Sequence, residues 1–318
     1  MQHKVIDTKD VVIRFAGDSG DGMQLTGSLF ANMSAVYGND LSTFPDFPAE
    51  VRAPKGTVAG VSGFQVHIST EKVYTPGDYC DMLVAMNPAA LKANAKWLKR
   101  TATIIINQDA FDDAGLEKAG FKGEPFRELG IEDRNIIVSP ISKLTQESLK
   151  DSGLDFASIQ KCKNMFALGM ACFIFQRPLD YIYEYLEKRF AKKHPEMIEP
   201  NKKVVTDGFN YADNIQAVAN TYHIIPSHQQ EGIYRNINGN QALAWGLVAA
   251  AQKAGLQLFC GSYPITPATS ILEELALLKN LNVKTMQTED EIAGICTAIG
   301  ASFRAALASP RLRVPACL

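Results

Sequence analysis

Short apolar runs alternate with helical periodicity as far as about residue 140. VVIRFAG (11–17), GVSGFQVHIS (60–69), DMLVAMN (81–87), TATIIIN (101–107) and NIIVSP (135–140) have the length and β-type composition of strands. Between them, MQLTGSLFANMSAVYG and PAALKANAKWLKR repeat apolar residues at helical spacing, and Pro88 suits a first turn. Strand–helix–strand alternation of this kind predicts an α/β fold with a mainly parallel sheet covered by helices. NMFALGMACFIFQ (164–176) is apolar nearly all round and predicts a buried helix, whereas RPLDYIYEYLEKRFAKKH (177–194) is amphipathic.

Residues 221–238 carry weak periodicity with turn signals and read as a linker. A second pattern then begins. QALAWGLVAAAQKAG predicts a helix ended by Gly255, LQLFCGSY a strand and PATSILEELALLKN a helix. VKTMQTE follows as a strand and DEIAGICTAIGASF as a helix. The expected division is an α/β domain over 1–220, the linker 221–238, and a smaller α/β unit over 239–318.

Composition narrows the class of function. The chain has 318 residues, 46% of them hydrophobic and 21% charged, within the ordinary globular range. A formal net charge of −2 gives no electrostatic reason to expect nucleic acid or an anionic membrane surface. MQHKVIDTKD lacks the apolar core of a signal peptide, and no run approaches the roughly 20 apolar residues of a membrane span. The six cysteines form no C-x-x-C pair, which argues against a zinc ribbon or an iron–sulfur cluster held by this chain alone. Free thiols in a reducing cytoplasm are the expectation.

AGDSGDG follows the first strand and opens a helix, where a diphosphate would dock. Its glycines run G-x-x-G-x-G, however, and Asp18 and Asp21 sit among them, where two carboxylates would repel phosphate. A tight turn with Asp as helix cap is the competing reading. GDG also begins the signature that holds magnesium and thiamine diphosphate. The second ligand that signature needs is missing, because Asn32 and Asn39 come too early. This GDG is therefore read as a decoy.

GSYPITPATSILEEL (261–275) places two prolines around Thr266 at a strand-to-helix turn. Pro267 suits the first helical position and Thr266 the N-cap. Capping uses the hydroxyl's acceptor capacity and leaves its proton to donate to a carboxylate, so Thr266 suits a cap, a ligand donor or both. Downstream, Glu289, Asp290 and Glu291 stand where a strand ends and a helix starts. They complement the helix dipole, or Glu291 faces an apolar site in which desolvation raises its pKa. The small residues that follow it would let that helix pack tightly.

These stretches, with FPDFPAEVRAPKGTVAGVSGFQVHIS and NGNQALAWGL, resemble the 2-oxoacid:ferredoxin oxidoreductases over residues 11 to about 303. The likeness is to the α subunit of the 2-oxoglutarate type, in which a γ-like domain precedes the thiamine-pyrimidine domain. The resemblance implies CoA-dependent oxidative decarboxylation of a 2-oxoacid to an acyl-CoA and CO2, with electrons passed to ferredoxin. It implies thiamine diphosphate shared with a β subunit, which would hold the diphosphate, Mg2+ and a 4Fe–4S cluster. This chain would supply no metal ligand. A cytoplasmic heterodimer or heterotetramer serving anaerobic metabolism is implied, without nucleic acid or membrane.

Residue by residue, the resemblance makes Glu291 the acid that hydrogen-bonds the pyrimidine N1′, with Gly300 nine residues on as in other thiamine enzymes. Glu289 is the alternative. Thr266 would meet the substrate carboxylate, and Tyr263, Pro264 and Ile265 would form the cofactor-facing turn. Arg52 lies in a matching stretch and would meet substrate or coenzyme A, or form a structural ion pair with Glu50.

After GAS the family pattern departs. FRAALASPRLRVPACL replaces the expected continuation, and Pro310 and Pro315 fall where helix and strand should run on. The expectation is a truncated subunit, inactive by itself. A pyruvate or branched-chain 2-oxoacid enzyme and a non-catalytic assembly subunit are the alternative functions.

Overall fold

The apolar run at 11–17 lies near the centre of the largest sheet. The computed structural model describes residues 3–47, 60–215, 218, 220–227 and 232–303, and the backbone of 307–310. Among these, the strands are β1 (Lys4–Thr8), β2 (Asp10–Asp18), β3 (Asp40–Asp46), β4 (Val61–Ser69), β5 (Cys80–Ala85) and β6 (Leu98–Asn107). They continue with β7 (Asn135–Ser139), β8 (Asn220–Ile224), β9 (Leu258–Ser262), β10 (Val283–Gln287) and β11 (Leu307–Pro310). The chain divides into two units, Met1–Glu231 and Gly232–Leu318.

In the first unit a six-stranded sheet has the order β3-β4-β2-β5-β6-β7. β2, β5, β6 and β7 run parallel, while β4 pairs antiparallel with both β2 and β3. The fold class is α/β with mainly parallel pairing, as the alternation of elements predicts. Val11, Ile13 and Phe15 of β2 join one apolar cluster with Met82, Val84 and Ile105. Val12 and Ala16 join a second with Leu83, Ala85, Ile104 and Ile106. Successive side chains thus bury on opposite faces, so these strands read as continuous apolar runs.

Arg14 interrupts the β2 run and is buried, yet every arm of its guanidinium is met. Nε donates to Asn94 Oδ1 at 2.5 Å, Nη1 to Gln65 Oε1 at 3.1 Å, and Nη2 pairs with Asp46. A buried charge persists only with such compensation.

Three features depart from the sequence reading. β1 and β3 are not expected from the sequence; neither contains a fully buried residue, so their apolar signal is weak. Residues 221–224, read as the start of the linker, belong to β8, which pairs parallel with β1. The chain beyond stays attached for three more residues, through Asn39 Nδ2 donating to Ile225 O (2.9 Å) and Ser227 N to Gly38 O (2.8 Å). Finally, the expected break at Pro310 is instead the last residue of β11, which pairs parallel with β9; Pro315 lies outside the described residues.

The helix Lys163–Ile174, apolar nearly all round, is buried as its composition predicts. It meets the helix Ile198–Asn214 backbone to backbone. A Cβ on Gly169 would lie 2.1 Å from Val205 O, and one on Gly208 would lie 2.2 Å from Phe166 O. Neither carbonyl can swing aside without breaking its helix.

Gly169→Ala is therefore expected to destabilise the chain by about 1–3 kcal/mol, as overpacking does. A urea melt measures it. Lys188→Ala on the exposed face of the amphipathic helix Asp180–Phe190 should stay within about 0.5 kcal/mol of the parent. Equal midpoints for G169A and the parent would refute the backbone contact.

Candidate functional site

In the second unit β10, β9 and β11 form a parallel sheet in that order, with β9 central. Ligands in open α/β sheets gather outside the carboxyl ends of the strands. Here β9 delivers Tyr263-Pro264-Ile265-Thr266 at that edge, and β10 delivers Glu289, Asp290 and Glu291. Thr288 N donates to Ser262 O at 2.8 Å, which carries the β9–β10 pairing one step past the strands.

Asp290 is the N-cap of the helix Glu291–Ser302, its carboxylate accepting from Ala293 N at 2.8 Å. That helix lies directly on β9. A Cβ on Gly261 would fall 2.3 Å from Thr297 Oγ1 and 2.9 Å from Gly294 O. Gly294 and Ala298 are buried on this helix, and the close approach itself is made at Gly261. Gly261 stands two residues before Tyr263, and Gly294 three residues after Glu291. The contact brings the two side chains together: Tyr263 Oη donates to Glu291 Oε1 at 2.5 Å. An O–H···O⁻ bond of this length is in the charge-assisted range.

Two sequence expectations are corrected here. Thr266 is not a helix cap: the helix begins at Thr269 with Ala268 in the cap position, and the Thr266–Pro267 peptide is cis. Asn240 holds the turn instead, its Nδ2 donating to Pro267 O (2.9 Å) and Ser270 Oγ (2.7 Å). Sequence reading passed Asn240 over, although it follows Asn238, which with Gln241 forms a capping box on the helix Gly239–Ala254. The apolar surroundings expected around Glu291 are also not supplied by the described residues, where its side chain is exposed. Thr266, Pro264 and Glu289 are exposed too, and Tyr263 and Ile265 half-buried. Arg52 and Glu50 lie outside the described residues.

The glycine-rich turn of the first unit is self-contained. Asp21 accepts from Asp18 N (3.0 Å) and from Lys163 Nζ (2.8 Å), and Asp18 Oδ1 accepts from Asn87 Nδ2 (2.8 Å). The helix Met23–Val36 starts at Gly22 without a side-chain cap, so the capping role expected of an Asp is replaced by this clasp. The chemistry of the turn suits no diphosphate. No cluster of three metal-ligating side chains exists among the described residues, and no helix there is long and apolar enough to cross a membrane. A cavity of about 580 Å³ in the first unit, flanked by His3, Phe173, Arg177 and Phe209, contains none of the residues singled out in the sequence.

A family model described as pyruvate ferredoxin/flavodoxin oxidoreductase matches residues 12–211. The chain belongs to this oxidoreductase family. A second model of the same family, described as its thiamine-diphosphate-binding part, matches residues 249–309 and so spans Tyr263 to Glu291. The chain is 46% identical over 299 residues to 2-oxoglutarate oxidoreductase subunit KorA of Mycobacterium tuberculosis, covering 94% of this chain and 46% of that protein. It is 24% identical over 335 residues to subunit alpha of 2-oxoacid:ferredoxin oxidoreductase 1 of Aeropyrum pernix, covering 95% and 50%. Among solved structures, 2-oxoglutarate:ferredoxin oxidoreductase from Magnetococcus marinus superposes with a TM-score of 0.70 at 29% identity. It covers 94% of this chain and 46% of that one, and was solved with 2-oxoglutarate, coenzyme A and succinyl-CoA bound. The chain spans about half the length of these relatives.

For a member of a redox family, thiol chemistry matters. Cys80, Cys162, Cys172 and Cys260 are buried, and Cys296 is exposed. Burial pushes the Cys80 thiol up to about 12 and Cys162 to about 11, and raises Cys172 as well. The thiolate is the reactive form, so even at pH 9 only about 1% of Cys162, and less of Cys80, is reactive. Maleimide labelling of the native chain at pH 8, read by peptide mass spectrometry, should mark Cys296 at least about 10-fold faster than Cys80 or Cys162. Comparable rates at all three would contradict the burial described.

Proposed function

We propose that this chain is part of the α subunit of a 2-oxoglutarate:ferredoxin oxidoreductase, forming acyl-CoA and CO2 from a 2-oxoacid and passing the electrons to ferredoxin. The first unit acts as the γ-like domain (1–220), and the second carries the start of the pyrimidine-binding domain (239–318). The observation that carries the reading is the Y-P-I-T-P turn beside Glu291 at the carboxyl ends of β9 and β10, inside the thiamine-diphosphate family match. The 46% identity to a 2-oxoglutarate enzyme subunit favours that substrate over pyruvate.

The donor set suits the pyrimidine half of the cofactor and not its diphosphate. A carboxylate at a helix start can hold a proton shared with a ring nitrogen, whereas Asp18 and Asp21 close the only glycine-rich turn singled out in the sequence. Thiamine diphosphate, when bound, supplies the electron sink that makes decarboxylation possible. Glu291 orients the pyrimidine and governs the proton at its ring nitrogen. Thr266, exposed on the turn, donates its hydroxyl proton to the substrate carboxylate. Glu289, exposed at the end of β10, is the reserve for Glu291, and Arg52 is assigned to substrate or coenzyme A. The diphosphate, Mg2+ and cluster are assigned to a cytoplasmic β subunit; the self-contained turn supports this for the diphosphate.

The test is dye reduction by the chain purified with its β subunit. Viologen should be reduced with 2-oxoglutarate, only when coenzyme A is present, and faster than with pyruvate. Glu291→Gln should lower kcat by about 100-fold or more, the scale of general acid–base catalysis. Thr266→Val should raise the KM for the 2-oxoacid by about 10-fold, as loss of a hydrogen bond to a charged group does. Faster turnover of pyruvate, or full activity in E291Q, would overturn the reading.

A further inference from the structure

Glu291 is a long, exposed side chain, and such a side chain samples many rotamers unless something holds it. What meets it here is a phenol on a rigid support. Tyr263 is half-buried and directly follows β9, whose backbone is paired on both sides, by β10 and by β11. The Gly261–Gly294 approach then sets the height of the helix start above that strand. The Tyr263–Glu291 bond at 2.5 Å therefore joins two elements already registered against each other.

We propose that Tyr263 is a positioning residue for Glu291, fixing the carboxylate toward the ring nitrogen of a bound aminopyrimidine and favouring its ionised form. This rests on the cofactor assignment given under the proposed function and names a second side chain within that site. A hydroxyl that donates to a carboxylate stabilises the charged state. It also orders the side chain before the ligand arrives, so less freedom is lost on binding. Asp290 and Glu289 are the neighbouring acids on the same strand-to-helix connection. Asp290 is committed to the helix cap, and Glu289 is exposed. Among the described residues the Tyr263 phenol is thus a specific, short donor to Glu291.

The test is calorimetric binding of thiamine diphosphate with Mg2+ to the cofactor-free complex of this chain and its β subunit, between pH 5.5 and 8, for the parent, Y263F, E291Q and the double variant. Urea midpoints of all four check the fold. Y263F should keep the parent's midpoint, weaken binding by about 3- to 10-fold, and move the acid limb of the binding profile to higher pH. The double variant should bind like E291Q alone, because the phenol acts through the carboxylate. Parent-like binding by Y263F at every pH, with E291Q weakened, would overturn this proposal and leave the cofactor assignment standing. Parent-like binding by E291Q would overturn both. Additive losses in the double variant would show that Tyr263 acts on the ligand independently and would also overturn it.

Discussion

The candidate site depends on one steric fact: the helix Glu291–Ser302 rests on the bare backbone of β9. Gly261 offers no side chain to hold the helix away: a Cβ there would fall 2.3 Å from Thr297 Oγ1 and 2.9 Å from the Gly294 carbonyl. With a methyl group at Gly261, Thr297 and the Gly294 carbonyl would have to move. The spacing of the helix start above the sheet edge, on which the Tyr263–Glu291 bond rests, is set at this contact. A polar pair at the surface is in this sense the product of an apolar packing decision made a few residues away.

The first unit solves a related problem with the opposite means. Its central strands bury both faces, so a charge among them must be fully matched, and Arg14 is matched by Asn94, Gln65 and Asp46 from three other segments. Such a network is costly when only partly satisfied and rigid when complete. The glycine-rich turn shows the same economy. Its two aspartates, which look available in sequence, are spent on the turn's own backbone, on Lys163 and on Asn87.

Much of this was legible in the sequence because burial on both faces leaves apolar runs, as at Val11–Ile13 and Met82–Ala85. β1 and β3 were not legible, since strands that are half wet carry no such run. Tyr222 and His223 look like loop residues in sequence and become strand only because β1 is there to pair with them. At the site, residue types and order pointed to the Y-P-I-T-P turn and to Glu291, but not to their bond. A tyrosine and a glutamate 28 positions apart become neighbours only through the register of two parallel strands. The Thr266–Pro267 pair mimics a helix start in sequence, while the helix begins at Thr269. Asn240, from a different helix, takes over the turn and lets the helix begin later.

The crossing of Lys163–Ile174 with Ile198–Asn214 has a consequence for how this unit can change over evolutionary time. Most tight core contacts can drift, because a larger residue on one side is offset by a smaller one opposite. At Gly169 and Gly208 the opposing atoms are main chain, and main chain has nothing to trim. No second substitution across the contact can restore the fit, so the two positions form a pair without neutral neighbours, and sequence divergence in this unit must flow around them.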